Sequence, residues 1–240
     1  MNGYEMLKSK IGSLEESIDY CFRDKANVIL ALTHSSFANE FKEAKLQSNE
    51  RLEFLGDSVL NVVISENIYF NYKNLSEGEM TRVRASIVCE PSLMKCSNNL
   101  NIGDYLLLGK GEENTGGRSR ISILSDAFES LIGAIYTDGG MESAKKFILY
   151  QMEQLIEDSV KGLLFIDYKT QLQELVQKNS ENKIIYEILE EKGPDHNKLF
   201  VSQVKVAEAV MGRGEGKSKK EAEQTAAKCA LEKYGEALEK

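Results

Sequence analysis

Three carboxylates stand three and four residues apart in the stretch NERLEFLGDSVLN, at Glu50, Glu53 and Asp57. At about 100° per residue they share an arc of roughly 60° on a helix, with Leu52, Leu55, Val59 and Val62 on the opposite side. Like charges stacked this closely cost a few tenths of a kcal/mol per pair unless a cation lies among them. On an ordinary surface helix such a stripe is a solvated face. A second segment, SDAFESLIGAIY, repeats the design. It sets Asp126 and Glu129 on one side with Gly133 a turn further on, and Leu124, Phe128, Leu131 and Ile135 on the other. Two facing helices of this kind can each supply one or two carboxylates to a hard divalent ion such as Mg²⁺, which takes oxygen ligands and keeps several waters. Gly133 would let the partner backbone come close. Glu77, in NLSEGEMTRVRAS, is a further acid near a helix start, where a carboxylate is favourable simply as an N-terminal charge. Capping and a functional role both stay open for it.

Two other residues draw attention beside these acids. Phe54 lies close to the acidic stripe and away from the buried side, which points to insertion into a second subunit and a symmetric dimer. His34, in THSS, is a titratable ring among hydroxyls. Its neighbours Thr33, Ser35 and Ser36 are capping and turn residues, and a structural role is the expectation for the whole segment.

The elements that must carry these residues are helices over most of the chain. Apolar residues recur at helical spacing through SLEESIDYCF, RLEFLGDSVLNVVISENIY, PSLMKCSNNL, SDAFESLIGAIYT and MESAKKFILYQMEQLIED. Loops are expected at NYKNLSEGE and GKGEENTGGRSR, and Pro91 suits a first helical turn. After about Val160 the pattern becomes a helix (YKTQLQELVQKN), three strands (KIIYEILEE, KLFVSQVKV, AEAVMGRG) and a last helix (SKKEAEQTAAKCALEKY), with GPDHNK as a turn between the first two strands. The reading is a multidomain protein: an all-α domain over 1–158, a connection over 159–165, and an α+β domain of order α-β-β-β-α over 166–236.

The chain of 240 residues is 42% hydrophobic and 28% charged, with a net charge of −8. That is the profile of a globular protein, with no apolar run of about 18 residues to span a membrane. The charge is uneven. Residues 161–240 carry 14 basic and 14 acidic side chains, and residues 1–160 carry 16 and 24. The first portion could therefore hold divalent cations, while the second could still present a local basic patch. Cys21, Cys89, Cys96 and Cys229 lack the spacing of a zinc site. Scattered thiols and the absence of a signal-peptide pattern in the first twenty residues predict a cytoplasmic protein.

NERLEFLGD, together with THSS, SEGEMTRVRAS and GGRSRISILSDAFESLIGAIY, closely resembles bacterial ribonuclease III, and the likeness covers essentially the whole chain. The resemblance implies that Glu53, Asp57, Asp126 and Glu129 bind the catalytic Mg²⁺, for which Mn²⁺ could substitute, with Asp57 and Glu129 nearest the chemistry. Glu50 and Glu77 match accessory acidic positions, and Phe54 inherits packing against the other subunit of a homodimer. The implied reaction is hydrolysis of double-stranded RNA to 5′-phosphate and 3′-hydroxyl ends, with ribosomal RNA precursors and structured messengers as targets. No membrane and no small-molecule cofactor are expected.

The α-β-β-β-α portion resembles a double-stranded RNA-binding domain. Gln171, Glu174 and His196 match the positions that touch successive minor grooves, where shape and 2′-hydroxyls are read. Lys217, Lys219 and Lys220 stand at the N-terminus of the last helix, where ammonium groups add to the positive end of the helix dipole and suit phosphate. Taken alone, such a cluster is a solvated face. Tyr168 stands where many relatives have proline, and Ser125 where alanine is common. One competing reading is a non-catalytic RNA-binding or ribosome-associated protein that has lost a metal ligand, yet all four matching positions are acidic. Another is an all-helical Mg²⁺-dependent nucleotide pyrophosphohydrolase, which would have no use for a groove-spanning basic module.

Overall fold

The computed structural model describes residues 3–41, 46–162, 168–179, 182–194 and 198–238. These fall into two compact units, Met1–Leu164 and Phe165–Lys240. The first contains eight helices among its described residues: α1 (Gly3–Ile18), α2 (Lys25–Ala31), α3 (Ser35–Glu40), α4 (Glu50–Asn71), α5 (Glu77–Ile87), α6 (Glu90–Asn99), α7 (Lys110–Asn114) and α8 (Ile121–Val160). The glycine-rich GKGEENTGGRSR, expected as loop, folds into α7 and a 3-10 turn at Gly117–Ser119. There Arg118 clamps the carbonyls of Gly103 and Leu106 at 2.7 and 3.0 Å. This part-buried guanidinium contact supplies the order that the local composition lacks.

The two apolar segments on either side of Gly139 and Gly140 form the single run α8, bent at Gly140 with φ 80°. A left-handed residue inside a helix breaks its ladder, and glycine takes that conformation without steric cost. Helix α8 is central to the unit. Ala127, Phe128, Leu131, Ile132, Ala134 and Ile135 are all fully buried, so its N-terminal half is covered on nearly every side. A fully buried ring such as Phe128 contributes about 2–3 kcal/mol by burial alone. Helices α2, α4, α5 and α6 pack around it. On α4 the buried residues are Leu52, Gly56, Val59, Leu60, Val63, Ile64 and Ile68. Val62, expected on the buried side, is 57% exposed because it lies beyond the edge of the arc that Gly56, Leu60 and Val63 turn toward α8. Helix α8 continues through Val160, so the first two residues of the expected connection at 159–165 are helical. Residues 163–167 lie outside the described residues.

The second unit is α9 (Tyr168–Asn179), β1 (Ile184–Lys192), β2 (Leu199–Val206), β3 (Ala209–Gly216) and α10 (Lys219–Leu238). The strands form an antiparallel sheet of order β1-β2-β3. Ala207 and Glu208, both at positive φ, make the two-residue turn between β2 and β3. Helix α10 packs on β2, β3 and α9 over a small core of Leu172, Val176, Val204, Val206, Ala226, Ala227 and Ala230. Its closeness is set by glycines in alternate positions of β3. A Cβ on Gly212 would lie 2.2 Å from the Ala226 carbonyl oxygen, and one on Gly214 2.2 Å from the Ala226 nitrogen. Strand period 2 puts the glycines on one face, and helical spacing puts the alanines opposite them.

Candidate metal centre and nucleic-acid interface

The acidic segments are brought together by two glycines that face each other. A Cβ on Gly56 of α4 would lie 1.8 Å from the Glu129 carbonyl oxygen, and a Cβ on Gly133 of α8 would lie 2.2 Å from the Leu52 carbonyl oxygen. The two helices therefore meet backbone to backbone. Asn49, buried just before α4, adds a second lock: its N–H donates to Thr33 O at 2.8 Å, and Ser130 Oγ of α8 donates to its carbonyl at 3.3 Å. The first turn of α4 and the turn bearing Glu129 are thus pinned to one another. Carboxylate oxygens of Glu53, Asp126 and Glu129 lie within 4.8 Å of one another, and all three side chains are half-buried.

The electrostatics follow from that crowding. Burial pushes the Glu129 carboxyl up to about 8, and Asp57, Asp126, Glu53 and Glu90 push it further in the same direction. Glu53 is raised by burial and then by Asp126, Glu50 and Asp57. Asp126 is raised by burial and by Glu90, with His34 acting the other way. The charges that push Glu129 up are all carboxylates. A crowded set of oxygen donors of this kind fits a hard divalent ion and does not fit a soft one.

The other acidic positions stand differently. Asp57 is exposed, and its Oδ1 accepts from Asn61 Nδ2 at 2.7 Å. It acts on the cluster through charge and lies outside the group of three. Glu50 is exposed and accepts from Ser48 Oγ at 3.0 Å. Glu77 is the first residue of α5 but not its cap. Ser76 and Glu79 form a capping box, and Glu77 accepts from Thr81 Oγ1 at 3.1 Å at the rim of a cavity of about 470 Å³ also lined by Tyr69, Met80 and Arg84. Glu90 went unnoticed in the sequence. It opens α6, where an acid before proline reads as a dipole charge, and only the packing of α6 against α8 makes it a neighbour of Asp126 and Glu129.

His34 itself is the N-cap of α3. Its Nδ1 accepts from Ser36 N–H at 3.2 Å, a role expected of the adjacent hydroxyls. Phe54 is 78% exposed, and Val62 and Tyr69 are exposed on the same helix.

In the second unit Gln171 and Glu174 are exposed on α9, whose Leu172 and Val176 face the core. Lys217, Lys219 and Lys220 are exposed at the start of α10. Ser218 Oγ accepts from Glu221 N–H at 3.2 Å, and the Glu221 carboxylate accepts from Lys217 N–H at 2.7 Å. Those two backbone groups are satisfied internally, leaving the Lys217 and Lys220 ammonium groups as the outward feature of the helix start. His196, expected in the β1–β2 loop, lies outside the described residues.

Residues 24–156 match the family model described as ribonuclease-III-like, and residues 168–234 match the double-stranded RNA binding motif. The chain is 55% identical over 222 residues to a protein named ribonuclease 3 from Caldanaerobacter subterraneus subsp. tengcongensis, covering 92% of this chain and 97% of that one. It is 48% identical over 223 residues to the ribonuclease 3 of Clostridium perfringens, covering 93% of each. Among solved structures, the nuclease domain of the Campylobacter jejuni ribonuclease III superposes with a TM-score of 0.56 at 45% identity, over 60% of this chain and 94% of that one.

Proposed function

The chain belongs to the ribonuclease III family and is a ribonuclease with a double-stranded RNA-binding module; on that premise we propose that Glu53, Asp57, Asp126 and Glu129 hold Mg²⁺, or Mn²⁺ in its place. The observation that carries the reading is the convergence of three half-buried carboxylates from two helices locked at Gly56 and Gly133. When bound, such an ion lowers the pKa of a coordinated water and offsets charge on the departing oxygen of a phosphodiester.

The chain's own residues prepare for this. Gly56, Gly133 and the Asn49–Ser130 hydrogen bond fix the spacing of the carboxylates before any ligand arrives, so little ordering is left for binding. Burial of Glu129 excludes water from one side of the cluster and strengthens every charge interaction within it. Asp57, exposed and held by Asn61, keeps a carboxylate beside the group of three and adds its charge to it. Glu50 and Glu90 lie a layer out and add negative potential. No side chain is needed as nucleophile, since hydrolysis to 5′-phosphate and 3′-hydroxyl ends takes its oxygen from water.

Substrate selection belongs to the second unit. Gln171, Glu174 and His196 are assigned to the minor grooves, and Lys217, Lys219 and Lys220 to the intervening phosphates, a division that reads helix shape over sequence. Ribosomal RNA precursors and structured messengers are the targets this selects, in the cytoplasm. Phe54, with Val62 and Tyr69, forms the apolar side of α4 proposed to pack against a second copy. A Campylobacter jejuni relative at 45% identity has a region involved in dimer formation, which supports the same assignment here. No helix among the described residues is long and apolar enough to cross a membrane.

Incubation with a long, perfect RNA duplex, with and without Mg²⁺, tests the reading, with nucleoside triphosphates assayed alongside. Cleavage of the duplex only with the ion, leaving 5′-phosphate and 3′-hydroxyl ends, is expected. Tight duplex binding with no cleavage under any divalent ion would instead favour the non-catalytic alternative.

A further inference from the structure

Lys219 differs from the other two lysines at the start of α10. Its ammonium lies 2.8 Å from the Glu191 carboxylate of β1 and 5.7 Å from the centre of the Phe200 ring of β2. Glu191 and Phe200 are direct cross-strand neighbours, and Phe200 in turn faces Gly216 of β3. A Cβ on Gly216 would lie 2.5 Å from the Ala222 nitrogen, so the bare backbone there brings the helix start down onto the end of the sheet. Lys219 consequently reaches back over a carboxylate and an aromatic face set side by side. Lys217 and Lys220 are exposed and form no ion pair among the described residues. Lys219 holds the Glu191 carboxyl below its ordinary range, chiefly through their hydrogen bond, and Lys198 adds to the effect.

We propose that Glu191 sets the affinity for duplex RNA, by occupying on Lys219 the position that an RNA phosphate takes in the complex. The inference rests on the assignment of Lys217, Lys219 and Lys220 to phosphate. A carboxylate and a phosphate present the same kind of anionic oxygen to an ammonium group. Binding at Lys219 is then an exchange of one anion for another, and it gains less than binding at a lysine with no anion to give up. The Phe200 face can hold the lysine stem in line while the ammonium changes partner. Lys217 and Lys220 supply net attraction, and Lys219 supplies direction at a reduced electrostatic gain. In a region whose 14 basic and 14 acidic residues balance, one such neutralisation counts.

The test uses the full chain in EDTA, so that no divalent ion supports cleavage, and a labelled RNA duplex of about 20 base pairs, enough for the roughly 16 such a module spans. Kd is measured across a range of KCl concentrations. Glu191→Gln is expected to tighten binding about two- to fivefold near 0.15 M salt. It should also steepen the slope of log Kd against log salt by about one. Lys219→Ala weakens binding, and the double variant matches Lys219→Ala alone. Unchanged or weaker binding by Glu191→Gln overturns the proposal. So does equal tightening in the Lys219→Ala background, which would make the effect one of general charge. If no single alanine variant of the three lysines weakens binding, the phosphate assignment itself fails and the inference falls with it. If those variants weaken binding while Glu191→Gln does nothing, only the role of Glu191 fails.

Discussion

Asp138 and Glu129 lie nine residues apart on α8 and have opposite surroundings. The Asp138 carboxylate accepts from Tyr20 Oη at 2.7 Å, from Arg23 N–H and Asp24 N–H at 2.9 Å each, and from Asn27 Nδ2 at 3.2 Å. These donors, led by the Arg23 and Asp24 amides, outweigh its burial and hold its carboxyl at about 2. Glu129 is pushed up to about 8 by burial and by four carboxylates around it. Both are acids on a central helix, yet one is complete and the other lacks a positive partner. An acid satisfied by the fold ties segments together; an acid that the fold leaves crowded is where a cation or a proton must come from outside.

Loss of chemistry at one site and loss of stability at the other would sharpen that contrast. The largest effect is expected from Glu129→Gln, which at physiological Mg²⁺ should reduce cleavage about a thousandfold or more while duplex binding changes little. A parallel loss of binding, measured on the same duplex, would break the division between the two units. Next comes Gly56→Ala, which puts a methyl group into the Glu129 backbone. A cost of about 3 kcal/mol is expected from overpacking, visible as a Tm lower by roughly 8 °C, together with weaker metal binding.

Asp138→Ala should cost about 1 kcal/mol, because it strips a charged acceptor from two exposed backbone amides, which water can take over, and from a part-buried hydroxyl and amide side chain, which it replaces less well. Calorimetry would show the loss, and the specific activity of the folded fraction should be unchanged. If activity falls and Tm does not, the contrast between the two acids is wrong.

The smallest effects concern pH, and they run in opposite directions. Glu129 has a folded value of about 8, above its ordinary 4.5, so the metal-free folded chain binds the extra proton. Its contribution to stability is full below pH 4.5 and is lost as pH rises toward 8. A metal-free melting series should show Tm falling by a few degrees across that window, and Mg²⁺ or Glu129→Gln should flatten it. Asp138 has a folded value of about 2, below its ordinary 3.8, so its contribution is present above pH 3.8 and is lost as pH falls toward 2. Asp138→Asn should remove that acid-side component only.

Sequence patterning reached much of this. The helical spacing of the apolar residues located α4, α6, α9 and α10, because that period is set by backbone geometry whatever the neighbours are; of the three expected strands the last begins two residues later than AEAVMGRG suggested, because Ala207 and Glu208 form the turn. That Glu53 and Asp57 share one helix face, and Asp126 and Glu129 another, was legible from the same helical period: residues three and four apart lie on the same side of a helix. GKGEENTGGRSR misled because its order comes from Arg118 gripping carbonyls fifteen and twelve residues earlier. Val62 misled because an isolated amphipathic arc says where a helix can be covered and not where its partner crosses it.

What the chain determined by itself, then, is the local inventory: which residues share a face, where helices start, and that two acidic segments carry the same design. The tertiary structure decided which acids became neighbours. Glu90 joined the cluster from a third helix, Asp57 turned aside to Asn61, and Asp138 was saturated by a loop more than a hundred residues away. The physical reason is range. Periodicity is a property of bonds between adjacent residues, whereas charge coupling and desolvation depend on distances through space, and those exist only once Gly56 and Gly133 have let two backbones touch.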